Sequence, residues 1–183
     1  GSLSNSAVAH GFVDSAFEPV RQAFLNNFTE HAEIGASVCI NVAGRTVVDI
    51  WGGYADPACT RAWDENQLVN AFSVGKGVTA VVAAQCVAKG LITYDTRVAS
   101  LWPEFAVHGK EHLTLRDLLG HRAGLPAVRN RLAPNAMFDW KLMTEALAKE
   151  TPWWTPGLEH GYHVNTYGFL VGEVLRRASG KTV

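Results

Sequence analysis

Ser73 and Lys76 are the residues of this chain whose types and spacing most directly offer chemistry. Placed on a helix at i and i+3, their Cβ atoms stand roughly 5–6 Å apart, close enough for a neutral lysine amine to take the serine proton. Val74, Val78, Val81 and Val82 recur at helical spacing, which predicts a helix starting near Ser73 with these four valines buried along one stripe. The positive end of the helix dipole at the first turn, together with burial, disfavours an ammonium there; catalytic lysines are tuned in this way. The S-x-x-K spacing alone is weak, since eight serines and six lysines supply it by chance in about one such chain in four. Gly75 and Gly77 flank the lysine. Each costs a helix about 1 kcal/mol against alanine, which predicts close approach of a ligand or of another backbone.

Other stretches compete for the chemistry. Ala71-Phe72-Ser73-Val74-Gly75 also fits a variant nucleophile elbow, but that turn needs a parallel sheet and the downstream chain reads helical. His108-Gly109-Lys110-Glu111-His112 matches the H-x-x-E-H zinc pattern, which requires a helix; Gly109 and the helix start at Thr114 favour a solvated loop. Ser179-Gly180-Lys181-Thr182 has the end of a phosphate-binding loop but carries leucine at position 175 in place of the first glycine. Trp153 and Trp154 either line an acyl pocket or serve packing, and His163 either touches substrate or makes a structural hydrogen bond. Tyr162, on its own, reads as a core tyrosine with its hydroxyl satisfied.

The elements that must position these groups follow from periodicity. Apolar residues from Phe12 to Phe28 predict a helix, and Ala36–Val42 with Thr46–Trp51 predict an antiparallel hairpin turning at Ala43-Gly44. Residues 54–69 read as loop. The Ser73 helix should stop at Gly90, and 91–103 reads as irregular. Thr114 to Asp117 has capping-box form, 139–149 is helical by pattern, and a last helix runs from about Thr166 to Ser179, stopped by Gly180. Residues 12–53 thus hold a helix and two strands, and about 70–180 a mostly helical region. Two strands are marginal alone, so the sheet reads as unfinished.

Composition narrows the partners. The 183 residues carry a net charge of −1 without a basic patch, which argues against nucleic acid and anionic membrane, and no apolar run has the length of a membrane span. Gly1-Ser2 reads as a scar of expression with no secretory signal behind it. Cys39, Cys59 and Cys86, odd in number and without metal-type spacing, read as reduced thiols of a cytoplasmic protein.

Three stretches together resemble the serine hydrolases of the class C β-lactamase and penicillin-binding-protein superfamily, nearest its family VIII carboxylesterases. They are Asp64 to Lys76, ending in Ser-Val-Gly-Lys; Leu113 to Pro126, with Leu118-Leu119-Gly120-His121 at its centre; and Pro156-Gly157 followed by Tyr162 to Glu173. The resemblance spans about Ala36 to Val183. It implies an α+β, β-lactamase/DD-peptidase-like fold, an antiparallel sheet flanked by helices plus a helical region. It also implies Ser73 as nucleophile and oxyanion N–H donor, Lys76 as its base partner and Tyr162 as proton relay, with neither metal nor organic cofactor. The expected reaction is hydrolysis of short-chain carboxylic esters through an acyl-Ser73 intermediate. β-Lactamase, D-amino-acid peptidase and acyltransferase chemistry are alternatives on the same fold, and a non-catalytic penicillin-recognising sensor is another.

Two departures from the family pattern shape the expectation. Lactamases carry asparagine two residues after the tyrosine, where this chain has Val164, and this favours ester over lactam. Family members are also roughly twice this length, with a Lys-Thr-Gly strand in the second half. Lys181-Thr182-Val183 follows a helix-ending glycine and does not stand in for it. The chain therefore reads as an N-terminal half, with a complementary C-terminal polypeptide as an expected partner beside a small-molecule ester.

Overall fold

The computed structural model describes residues 8–183, so that Gly1-Ser2 lies outside the described residues. The chain divides into two compact units, one running to Asn70 and the other from Ala71 to Val183.

In the first unit, β1 (His10–Val13), α1 (Glu18–Glu30), β2 (Gly35–Val42) and β3 (Arg45–Gly53) follow in order. The sheet has the order β1-β3-β2, with β3 antiparallel to both neighbours. Ala43 and Gly44 both take left-handed φ values, 51° and 80°, as a two-residue type I′ hairpin turn requires. Val48 and Ile50 alternate onto one face and pack with Phe24 of α1. Two expectations are corrected here. Phe12 and Val13 belong to a strand rather than to the first helix, and the sheet has three strands rather than two. Asp14 separates the elements: its carboxylate accepts the Ala16 N–H (3.1 Å) to open a 3-10 turn, and Pro19 then occupies the first turn of α1. Pairing of β1 with β3 is a long-range backbone event, invisible to a local apolar period.

The second unit is helical: α2 (Val74–Ala88), α3 (Val98–Leu101), α4 (Leu115–Leu119), α5 (Trp140–Lys149) and α6 (Tyr167–Ser179). The short α3 lies in a stretch expected to be irregular. At the end of α2, Gly90 is left-handed (φ 70°), the Gly90 N–H donates to Val87 O and the Leu91 N–H to Cys86 O, a Schellman closure. Thr114 and Asp117 form the capping box of α4 as expected. Helix α6 is the core element. Tyr167, Leu170, Val171, Val174 and Leu175 are buried, and α6 contacts α2, α3, α4 and α5.

The face that α2 buries is not the expected one. Thr79, Ala83 and Cys86 are buried, whereas Val74, Val78 and Val81 are 69%, 57% and 59% exposed and Val82 is half-buried. Small side chains let α2 and α6 approach closely, and a helix apolar nearly all round gives no signal of which face does so. Gly75 and Gly77 likewise face open space, with nothing within 4 Å of an added Cβ, so no backbone approaches them among the described residues.

Two buried charges tie the helices together. Trp140 packs against Gly172, where an added Cβ would stand 2.7 Å from the indole, and its Nε1–H donates to Glu173 (2.8 Å). Arg176 (2.7 Å) and Arg177 (2.8 Å) complete the shell of this 3% exposed carboxylate. Lys110, placed by sequence in a solvated loop, is in fact fully buried. Its Nζ donates to the carbonyls of Ala148 (3.0 Å) and Glu150 at the end of α5, where the helix dipole favours a cation. His108 (φ 57°) and Gly109 (φ 79°) make the segment a turn rather than the helix a zinc motif needs. No group of three or more potential metal ligands exists among the described residues.

Burial opposes ionisation of Glu173, but the bonds from Arg176, Trp140 and Arg177 outweigh it and hold its carboxyl at about 2. Because the folded value lies below the model-compound value of 4.5, the stabilisation is complete above pH 4.5 and is lost as pH falls toward 2. Glu173→Ala should lower the unfolding free energy by about 3 kcal/mol at neutral pH. In urea melts, the gap between the variant and the parent should close on going from pH 5 to pH 2.

Candidate active site

Helix α2 presents Ser73 at its N-terminal boundary. Phe72 is held at φ 45°, in the left-handed region, and Ser73 follows in helical conformation (φ −70°, ψ −8°). A non-glycine residue pays about 1–2 kcal/mol for that conformation. The Ser73 hydroxyl does not cap its own helix. It instead accepts a hydrogen bond from Lys76 Nζ at 3.1 Å, and the same nitrogen donates to the carbonyl of Val164 at 2.7 Å. Lys76 Nζ also lies 4.9 Å from the centroid of the Tyr162 ring. The structure therefore brings together the three residues singled out by sequence, across 86 positions of separation between Lys76 and Tyr162.

Tyr162 is half-exposed, and its phenol is lowered from its ordinary 10 by hydrogen bonding with Ser73 first and Lys76 second, partly opposed by desolvation. A phenol so placed gives up its proton more readily than a free tyrosine and can exchange protons with its two neighbours. Ser73 itself is exposed, so its oxygen is open to an incoming carbonyl.

The other residues named from sequence do different work. His163 is 1% exposed, and both ring nitrogens are occupied within the protein. The Leu125 N–H donates to its Nε2 (3.0 Å), so in the neutral ring the proton sits on Nδ1 and is donated to Gly161 O (2.6 Å). Burial, with a smaller push from His160, depresses its basicity against the opposing Gly161 bond. His163 thus takes the structural fate. Trp154 donates to Glu159 O (3.2 Å) and lies beneath Gly161, where an added Cβ would meet the ring at 2.6 Å. Trp153 donates to Ala127 O (2.9 Å) and carries the Arg129 guanidinium 4.2 Å above its ring. A cleft of about 330 Å³ opens elsewhere, lined by Pro126, Ala127, Leu132, Met137 and Asn165, the residue after Val164.

Two contributions escaped the sequence reading. The Val164 carbonyl as the second acceptor for Lys76 carries no side-chain signal. His121, 5.0 Å from the Tyr162 ring and 4.8 Å from that of Tyr167, lies within the quoted Leu118-Leu119-Gly120-His121 stretch, where its positive φ could not be read.

The profile of a family described as Beta-lactamase matches residues 13–183. The esterase/beta-lactamase LipL of Mycobacterium tuberculosis (strain ATCC 25618 / H37Rv) is 35% identical over 171 residues, which is 93% of this chain and 39% of LipL. Among crystal structures, a family VIII carboxylesterase is 40% identical with a TM-score of 0.91, covering 96% of this chain and 48% of that one. A penicillin-binding protein homologue from Caulobacter crescentus is 37% identical with a TM-score of 0.92, covering 96% of this chain and 47% of that one. The chain therefore spans less than half the length of these relatives.

Replacing Lys76 by methionine removes one of the two groups that lower the phenol. Tyr162 should then titrate at higher pH than in the parent, as followed by the ultraviolet difference spectrum of tyrosinate, with Tyr162→Phe identifying the signal.

Proposed function

We propose, for a chain that belongs to the Beta-lactamase family, hydrolysis of short-chain carboxylic esters through an acyl-Ser73 intermediate. The observation that carries this reading is Lys76 Nζ held between Ser73 Oγ and the Val164 carbonyl, with the Tyr162 ring beside it. In acylation, the Lys76–Tyr162 pair acts one proton short, as a phenolate beside the ammonium or an amine beside the phenol; Ser73 Oγ bonds to the ester carbonyl carbon while its proton passes to that pair. The Ser73 N–H at the start of α2 faces the oxyanion, and collapse expels the alcohol, which takes the proton back. In deacylation, water adds to the acyl carbon as the unprotonated Tyr162 receives its proton, and the acyl–Ser73 bond then breaks as Ser73 Oγ takes that proton back, leaving the carboxylic acid as product. None of these steps calls on a metal or organic cofactor.

Ester is preferred to lactam on the chemistry of position 164. Its backbone carbonyl serves Lys76, and a valine side chain offers no amide donor to a lactam amide. The name of the similar family VIII carboxylesterase supports this choice, whereas that of LipL covers both activities.

Activity is proposed to need further polypeptide. An apolar helix ordinarily lies inside a larger core, and the valine ridge of α2 stands 57% to 69% exposed. A complementary chain or segment covering that ridge would also bring the second oxyanion donor. A cytoplasmic setting fits the three free thiols, and no helix among the described residues is long and apolar enough to cross a membrane.

With the complementary polypeptide present, incubation with a short-chain phosphonate ester should add one phosphonyl group to Ser73, seen by intact mass, and Ser73→Ala should abolish both labelling and p-nitrophenyl butyrate turnover, by at least about a thousandfold. Labelling without turnover would instead support a sensor. The same preparation should show a kcat/KM for the ester at least about a hundredfold above that for a chromogenic cephalosporin; the reverse order would overturn the ester assignment.

A further inference from the structure

Helix α4 ends at Gly120, and His121 then turns the chain with φ 58°. This left-handed residue directs both of its acceptors at the segment carrying Tyr162. The Gly161 N–H donates to the His121 carbonyl (3.1 Å), and the His163 N–H donates to His121 Nδ1 (2.9 Å). Gly161 and His163 are the two chain neighbours of Tyr162. One residue therefore fixes the backbone on both sides of the phenol-bearing residue, while the His163 ring closes the loop on itself through Gly161 O.

We propose that His121 is a positioning residue for the esterase reading above, holding the Tyr162 phenol beside Ser73 and Lys76 by accepting both flanking N–H groups. The device has a chemical requirement. Nδ1 must be unprotonated to accept, so the neutral ring carries its proton on Nε2; a proton added at Nδ1 would set donor against donor and release the His163 side of the clamp. The groups that face His121 are Tyr162, Tyr167, His163 and His160, with rings 5.0, 4.8, 5.5 and 6.1 Å away, and Lys76 acts on it through its charge. Burial first, then the positive potential of His163, His160 and Lys76, hold its basicity down to about 4. The clamp is thus intact at neutral pH and opens only as pH falls through about 4.

Two substitutions separate the acceptor from the ring. Asparagine tolerates the left-handed conformation and places Oδ1 where Nδ1 stands, but does not titrate. Phenylalanine keeps an aromatic ring and offers no acceptor. In chain labelled with 13Cζ-tyrosine, Tyr162 should titrate below an ordinary phenol in the parent and in His121→Asn, and move up toward an ordinary phenol in His121→Phe. In ester turnover by the active protein, His121→Phe should lower kcat at least about tenfold with KM within about twofold, whereas His121→Asn should stay within about threefold and lose the parent's fall in rate near pH 4. Should His121→Phe fail to fold, the parent and His121→Asn decide the matter by their acid limbs, which must differ. An unchanged Tyr162 titration and kcat in His121→Phe, equal damage in both variants, or coincident acid limbs would overturn the proposal. Equal inactivity of parent and Ser73→Ala would overturn the esterase reading alone, because the tyrosine titration needs no turnover.

Discussion

A single lysine nitrogen ties the helical unit's chemistry to its architecture. Lys76 Nζ spans from Ser73 Oγ, on the first turn of α2, to the carbonyl of Val164, just before α6. Serine and lysine are neighbours by helical geometry, so that contact is assured once α2 forms. The bond to Val164 is different, because it exists only if the packing of α2 on α6 is correct. The close helix contact through Thr79, Ala83 and Cys86 is therefore what places the tyrosine segment within reach of the serine. A bulkier contact face would move the carbonyl away and leave the lysine with one acceptor.

Polar groups buried in this unit do similar positioning work at a distance. Glu173 is enclosed by two arginines and an indole N–H, and Lys110 by two helix-end carbonyls, so each buried charge has its bonds satisfied. Both act on α5: one holds its start against α6 through Trp140, the other holds its end. Thr166 adds a buried hydroxyl bond to the Leu125 carbonyl (2.7 Å), joining the turn after α4 to the start of α6.

Much of this was legible in the sequence because it is local. The hairpin turn at Ala43-Gly44, the capping box at Thr114 and the helix stops at Gly90 and Gly180 depend on a few adjacent residues, and each stands where turn and cap chemistry put it. The three-residue constellation was legible only through motif order, since nothing near Tyr162 announces a partner 86 residues away. What escaped detection was long-range or lay in the backbone. β1 was absorbed into a helical period because strand pairing leaves no local mark. Hydrophobicity ranks the valines of α2 above Ala83 and Thr79 for the core, while close helix packing prefers the smaller pair. The burial of Lys110 leaves no sequence signal, because a buried lysine is rare and its acceptors are carbonyls.

Phe72 shows how backbone and side chain can impose different rules at one position. Its side chain is 82% exposed, the condition under which residues ordinarily exchange freely. Its φ of 45° sets the terms instead, since the steric cost falls on Cβ whatever lies beyond it. Substitution at this site should thus be graded by backbone permissiveness rather than by size or polarity: glycine and asparagine fit readily, and valine, isoleucine and threonine fit worst. A mutational scan that scores surface positions by hydropathy would rank position 72 as neutral ground, when it governs the entry angle of the helix that carries the serine.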